Sequence, residues 1–247
     1  MGGNVTFDRV RFSYPDSPLI LNDFSMQIAD GECVALVGRS GSGKSTVASL
    51  LQRLYEPQSG VITVGQHNVR TLNIFHLREY VTVVNQNFFL FDATFSEIIS
   101  FGNTNLSTCE IERAAKAANV HDFVTSLPQG YDTMIGENAS LLSSGQAQRL
   151  QIACALARSS GIIIFDECTS ALDPSNQASV LDTIRHTKVG RTVVMITHKP
   201  SVMRMCDRIM VIHEGSIAEQ GTYECLTEKA GIFTTLVNNG GGDAQAD

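Results

Sequence analysis

Apolar and polar positions divide the chain into stretches of different period. Over the first thirty residues they alternate, through Val5 and Phe7, then Val10 and Phe12, and, after a turn marked by Pro15 and Pro18, through Phe24, Met26 and Ile28. That period of two predicts half-buried antiparallel strands. Cys33-Val34-Ala35-Leu36-Val37 is a short unbroken apolar run of buried-strand type, and Val47, Leu50, Leu51 and Leu54 follow it at helical spacing. Val61 to Val64 and Val81 to Val84 predict further short strands, the first of them punctuated by Gly60 and Gly65. From about residue 90 the pattern turns helical. Ser107 and Glu110 form a capping box, and Ile111, Ala114, Ala115 and Ala118 then recur on one face. Beyond residue 160, Ile162 to Phe165, Thr192 to Ile196 and Arg208 to Ile212 read as buried strands, with a polar helical stretch around residues 175 to 187 between the first two. Such α/β alternation places these strands with Cys33 to Val37 in one sheet.

Composition changes this picture only by exclusion. A chain of 247 residues with 43% hydrophobic content suffices for one large domain, or for a domain with an inserted lobe. No apolar run reaches the length of a membrane span and the N-terminus has no leader pattern, so a membrane role calls for a partner segment. The cysteines, Cys33, Cys109, Cys154, Cys168, Cys206 and Cys225, lack C-x-x-C spacing, which fits reduced thiols in a cytosolic compartment better than zinc or a disulfide framework. A formal charge of -7 gives no basic footprint, and no nucleic-acid partner is expected.

Chemistry enters between the apolar strand and its helix. Residues 38 to 46 read Gly-Arg-Ser-Gly-Ser-Gly-Lys-Ser-Thr and satisfy G-x-x-x-x-G-K-[ST] in full, in the required order of strand, loop and helix. Gly38, Gly41 and Gly43 free the backbone so that successive amides converge on phosphate oxygens at a helix N-terminus. Lys44 reaches the β- and γ-phosphates in such a loop, and the Ser45 hydroxyl ligates Mg²⁺. A second signal lies at Ile162-Ile163-Ile164-Phe165-Asp166-Glu167, an apolar strand ending in two carboxylates. Asp166 is suited to the metal's shell and Glu167 to polarising an attacking water, although a solvated strand end would carry the same residues.

Leu142-Ser143-Ser144-Gly145-Gln146 precedes a helix through Leu150, Ala153, Leu156 and Ala157. As structure alone, Ser143 and Ser144 would cap that helix. Beside the loop and the acidic strand end, the segment resembles the Leu-Ser-Gly-Gly-Gln signature of ATP-binding-cassette (ABC) ATPases, and the resemblance runs from about residue 4 to residue 237. It implies an α/β fold: a P-loop NTPase core of ABC ATPase type, an antiparallel β edge subdomain and an inserted helical subdomain. The implied domain covers residues 4–237, with the core at 4–86 and 159–237, the helical lobe at 87–158, and frayed tails at 1–3 and 238–247.

The resemblance also assigns roles, with ATP and Mg²⁺ as ligands. Tyr14, in Phe12-Ser13-Tyr14-Pro15, matches the aromatic that stacks on adenine, though an edge-strand tyrosine with no such role has the same appearance. Gly38, Ser40, Gly41, Gly43, Lys44, Ser45 and Thr46 surround the phosphates, and Ser45, Gln86 and Asp166 hold the metal. Glu167, His198 and Gln86 serve hydrolysis. Ser143, Ser144, Gly145 and Gln146 face ATP on another subunit, and Asp173, in Ser170-Ala171-Leu172-Asp173, lies in the loop that crosses the dimer interface. Phe91 to Gly102 and Thr133-Met134-Ile135-Gly136-Glu137 are similar to exporter segments that touch coupling helices, and Gln146 to Ala153 with Asp166 to Ser170 looks most like fungal mating-pheromone exporters. The implied partners are transmembrane domains of the same or a sister polypeptide and a second nucleotide-binding domain, identical or not. The implied place is the cytoplasmic face of a membrane, and the implied cargo a peptide, lipopeptide or hydrophobic compound.

The chain departs from the pattern where Ser144 stands for the first signature glycine, Cys154 for a customary arginine, and Asn138-Ala139 for a glycine-containing pair. Ser144 leaves open a regulatory module that binds ATP with low turnover. A soluble ABC ATPase of DNA repair or translation is a further alternative, opposed by the missing coiled-coil insertion and by the exporter-like segments.

Overall fold

The computed structural model describes residues 2–85, 92–101, 103, 105–136, 142–167, 177–178, 180–182, 184 and 190–240. The chain divides into two compact units, one of residues 1–81, 160–166 and 188–247, the other of residues 82–159 and 167–187. The α/β class expected from the alternating pattern is the class observed.

In the first unit, β1 (Val5–Phe12), β2 (Leu21–Ile28), β4 (Ser59–Val64) and β5 (His67–Asn68) form an antiparallel sheet in the order β2-β1-β4-β5. Val5 to Phe7 and Val10 to Phe12 are thus one strand, not two. The broken alternation marks a bulge, with a register shift between Asp8 and Arg11 and Arg9 at φ 47°. One extra residue resets the period, so Val5, Phe7, Val10 and Phe12 are all buried. Gly60 makes room for the kink. It sits at φ +85°, and a Cβ there would lie 2.5 Å from the Arg9 carbonyl oxygen and 2.6 Å from that of Asp8.

The second sheet of this unit contains β3 (Cys33–Val37), β7 (Ile162–Asp166), β8 (Thr192–Ile196), β9 (Arg208–His213) and β10 (Ser216–Gly221), in the order β10-β9-β3-β8-β7. β3, β7, β8 and β9 run parallel, with Val34 opposite both Val194 and Arg208 and with Ile164 opposite Val194, and only β10 is antiparallel. Burial of β3 and β8 at every position explains their unbroken apolar runs. Arg208 ties this sheet to the other one. Its guanidinium pairs with Glu32 at 2.8 Å and donates to the Gln27 carbonyl at 2.7 Å, while the Asn22 amide donates to the Gly215 carbonyl at 3.0 Å. The chain passes from the first unit to the second along β6 (Val81–Val84).

Two expectations are corrected here. The helix after the phosphate loop, α1 (Lys44–Leu51), stops before Leu54, which is 52% exposed. Arg53 enters the left-handed region at φ 52°, and its amide bonds to Leu50 while that of Leu54 bonds to Ser49. This is the helix stop usually built on glycine, here with the arginine paired to Glu56 at 2.9 Å. Nor is Gly3 frayed: it is buried, and its carbonyl accepts from the Thr192 hydroxyl at 2.7 Å. The unit also holds α2 (Ile74–Tyr80).

The second unit is helical: α3 (Phe95–Ser100), α4 (Thr108–Ala117), α5 (His121–Ser126) and α6 (Ser144–Ala157). α6 packs on α3 and α4, burying Ile98, Ile99, Ala115, Leu150 and Ala153. Reciprocal capping boxes start α3 (Thr94 with Glu97), α4 (Ser107 with Glu110) and α6 (Ser143 with Gln146). The Ser107 hydroxyl, and then its amide, hold the Glu110 carboxyl below its usual titration range. Between β7 and β8 the described residues 177–178, 180–182 and 184 are helical, with Val180, Leu181 and Ile184 buried. Among the described residues no helix is long and apolar enough to cross a membrane.

Gly60→Ala should destabilise the fold by about 1–3 kcal/mol, since it combines a strained φ with contact against backbone that cannot move aside. Urea denaturation measures this, and an unchanged midpoint would show that the bulge does not depend on the glycine.

Candidate functional site

The parallel register decides which residues meet. Leu36 of β3 pairs with Ile196 of β8, and Ile196 in turn with Asp166 of β7. The phosphate loop leaving β3, Asp166 ending β7, and Thr197-His198 leaving β8 therefore stand on one edge of one sheet. It is the carboxyl edge, where open α/β sheets bind ligands. The Thr197 amide donates to the Leu36 carbonyl at 3.4 Å, and the Lys199 amide to the Thr197 hydroxyl at 3.0 Å, which fixes the turn bearing His198. His198 itself is exposed.

Within the loop, Gly38 and Gly43 are buried while Ser40, Gly41 and Ser45 are exposed. Gly43 precedes α1 at φ 104°, and a Cβ there would meet Leu21 Cδ2 at 2.8 Å. No side chain caps this helix, whereas α3, α4 and α6 are all capped, so the first amides of α1 remain turned toward the loop. Lys44 is buried, with Nζ donating to the Gly38 carbonyl at 2.9 Å and to the Arg39 carbonyl at 3.0 Å. The Ser42 hydroxyl is buried and has no hydrogen-bond partner among the described residues. An uncapped helix start, a folded-back ammonium and an orphaned hydroxyl form a donor set that fits the phosphates of a nucleotide. Ser42 carries no signal in the sequence, because it fills a position the motif leaves free.

Tyr14 and Thr46 come together, with the phenol 3.3 Å from the threonine hydroxyl. Phe12 and Tyr55 each meet the Tyr14 ring edge-on at 4.9 Å between centroids for both pairs. Tyr55 therefore joins an aromatic cluster beside α1 that the sequence did not announce. Glu167 directly follows Asp166 and is half-buried, at φ 50°. A non-glycine residue in that region is strained and worth a functional question. Gln86 and Asp173 lie outside the described residues, as do Asn138 and Ala139.

In the second unit, Ser143 caps α6 and Ser144 is its first helical residue. The Gln146 amide donates to Ser143 Oγ at 3.3 Å and the Ser143 amide to Gln146 Oε1 at 2.8 Å. The amides of Ser144 and Gly145 stay outside this box. Ser144 is exposed and is absent from the residues with positive φ, so serine occupies the glycine position without backbone strain. The exporter-like segments, remote in sequence, also meet. Thr94 forms an antiparallel bridge with Met134, the Ile135 amide donates to the Ala93 carbonyl at 3.0 Å, and that of Phe95 to the Thr133 carbonyl at 3.3 Å.

Comparison with known proteins decides the family. The profile described as ABC transporter matches residues 21–170, which is more than half of the chain. The chain belongs to the ABC transporter family. It is 43% identical over 238 residues to the mouse mitochondrial potassium channel ATP-binding subunit, covering 95% of this chain and 33% of that protein. Against Arabidopsis thaliana ABC transporter B family member 19 the identity is 44%, covering 95% of this chain and 19% of that protein. Human ATP-binding cassette sub-family B member 5 is 42% identical, with the same 95% and 19%. A solved bacterial Atm1-family ABC exporter with ATP bound superposes with a TM-score of 0.93 at 37% identity, over 98% of this chain and 42% of that one. The chain thus spans between a fifth and a half of the relatives it matches, and within the ABC family it is an ATPase domain of the exporter type.

The departure at Cys154 has a packing explanation. The thiol is buried and donates to the Ile98 carbonyl at 3.1 Å, joining α6 to α3, and burial pushes it up to about 12. One turn on, Arg158 lies 4.6 Å from the centre of the Phe101 ring. Since only the thiolate reacts, and a raised titration point keeps the thiol protonated at pH ~8, Cys154 should resist iodoacetamide in the folded chain. Exposed Cys109 and Cys225 should be alkylated. Mass spectrometry of the labelled protein checks this, and early labelling of Cys154 would contradict its burial.

Proposed function

We propose that the chain is the nucleotide-binding domain, over residues 4–237, of an ABC exporter, and that it binds and hydrolyses ATP to drive transport through separate transmembrane domains. The observation that carries this reading is the shared carboxyl edge on which the phosphate loop, Asp166 and His198 stand. Tyr14 receives the adenine. Gly38, Ser40, Gly41, Gly43, Lys44, Ser45 and Thr46 hold the phosphates, with the buried Ser42 hydroxyl as a further donor. Mg²⁺, when held by Ser45, Gln86 and Asp166, neutralises charge on the phosphate oxygens. Glu167 accepts a proton from the attacking water, and its strained backbone suits a residue whose position matters more than its ease of folding. His198, exposed at the start of its turn, contacts the γ-phosphate and orients that water.

The remaining wall comes from the signature of a second nucleotide-binding domain. The amides of Ser144 and Gly145, left outside the capping box at the positive end of α6, are the groups offered to ATP on the other domain. Asp173 belongs to the loop across that interface. In this reading the segments around Thr94 and Met134 face the coupling helices of the membrane part and the chain sits at the cytoplasmic face of a membrane; the bridge that joins the two segments supports it. The bacterial Atm1-family relative is an exporter by name, which supports this reading. The cargo is a peptide, lipopeptide or hydrophobic compound.

Glu167→Gln should lower ATP turnover by about 10²- to 10⁴-fold, the usual range for loss of a positioned general base, while ATP affinity stays at its parental value. Steady-state phosphate release and nucleotide titration measure the two quantities. Hydrolysis at the parental rate would remove Glu167 from the mechanism.

A further inference from the structure

Cys33 and Cys206 are separated by 173 positions in sequence, yet their sulfurs lie 3.7 Å apart inside the first unit. We propose that this pair is a redox modification site, closing to a reversible disulfide when the protein meets a peroxide, at the root of the strand that carries the phosphate loop. The inference is independent of the nucleotide reading.

The surrounding backbone is already in position for the bond. The Cys33 amide donates to Asp207 Oδ2 at 2.9 Å, and the Asp207 amide donates to the Cys33 carbonyl at 2.8 Å. These contacts extend the parallel ladder of β3 and β9 by one residue, and so they fix Cys206 beside Cys33. A disulfide needs sulfurs about 2.05 Å apart, so the thiols at 3.7 Å must approach by about 1.7 Å, a shift on the scale of a change in side-chain torsion. Packing of two thiols as small apolar groups would account for their burial, but not for the clamp that aligns them.

Exposure assigns the order of events. Cys33 is 2% exposed, while Cys206 is partly open and meets the oxidant first. The Cys206 thiol loses its proton, its sulfur attacks one peroxide oxygen, the O–O bond breaks, and the departing hydroxide takes up that proton as water. The sulfur is left as a sulfenic acid. Cys33 then loses its proton and attacks the Cys206 sulfur; the S–S bond forms as the S–O bond breaks, and the hydroxyl leaves with the Cys33 proton as a second water. In total the two thiols are oxidised by two electrons and one hydrogen peroxide is reduced to two waters. A thiol reductant reverses the change by exchange through a mixed disulfide. In a compartment that keeps thiols reduced, such a bond is transient, the usual form of a redox-sensing disulfide there.

The test exposes the chain to hydrogen peroxide, digests it without reduction and reads the peptides by mass spectrometry. The expected product joins the Cys33 and Cys206 peptides, two hydrogens lighter than their sum, and disappears with thiol reductant. Because the bridge closes a long loop, the oxidised chain should also unfold at higher urea than the reduced chain, and the shift should vanish in Cys206→Ala. Cys33→Ala is the second variant, should the first fold poorly. Recovery of Cys33 and Cys206 on separate peptides, whether as thiols or as sulfonic acids, after exposed Cys109 and Cys225 have been oxidised would overturn the proposal. So would a cross-link that joins Cys206 to another cysteine, or a urea shift that survives in the variants.

Discussion

Parallel pairing of β7, β8 and β3 in fixed register is the constraint on which the rest of the site depends. A parallel ladder sets strand ends side by side, so the residue after each strand is placed by pairing rather than by its own contacts. The loop after Val37, the carboxylate of Asp166 and the turn bearing His198 inherit their positions in this way. Burial of β3 and β8 at every position makes a register slip costly, because no polar face could be turned outward to accommodate it. The edge is held elsewhere by polar ties: Arg208 to Glu32 and Gln27, Asn22 to Gly215, and Gly3 to Thr192. These link the antiparallel sheet and the first residues of the chain to the sheet that carries the chemistry.

Against that frame, α1 and α6 make opposite use of a helix start. Gly43 leaves the amides of α1 without a side-chain cap, and the buried hydroxyl of Ser42 adds a donor beside them. α6 caps itself through Ser143 and Gln146 and leaves only its next amides to be offered outward. A self-capped helix is stable without a ligand, which suits the role proposed for this signature. As the first helical residue Ser144 needs no special backbone geometry, so serine there does not strain the fold.

Local patterns were legible in the sequence and pairings were not. The phosphate loop, the acidic end of β7 and the box of Ser107 with Glu110 are each built from residues a few positions apart, and each appears in the structure where its string stands. The box of Thr94 with Glu97 is equally local, and its Thr-Phe-Ser-Glu string carries the same capping signal. The bulge in β1 left a trace, the skipped beat between Phe7 and Val10, that has meaning only beside Gly60 of β4. The helix stop at Arg53 had none, since nothing in an arginine predicts φ 52°. The meeting of Thr94 with Met134, and of Cys33 with Cys206, depends on the complete fold.

Under the proposed function each ATP site is divided between two domains, the phosphate loop of one and the signature of the other. Mixing two variants distinguishes this from a site complete within one domain. Lys44→Ala removes the phosphate-loop cation, and Ser144→Glu sets a negative charge where the partner's phosphates would come, on a helix start that tolerates acidic residues. Each variant alone should hydrolyse ATP poorly. A mixture should exceed the average of the two, because a mixed pair contains one site built from an intact loop and an intact signature. Activity of the mixture no higher than that average would contradict a shared site.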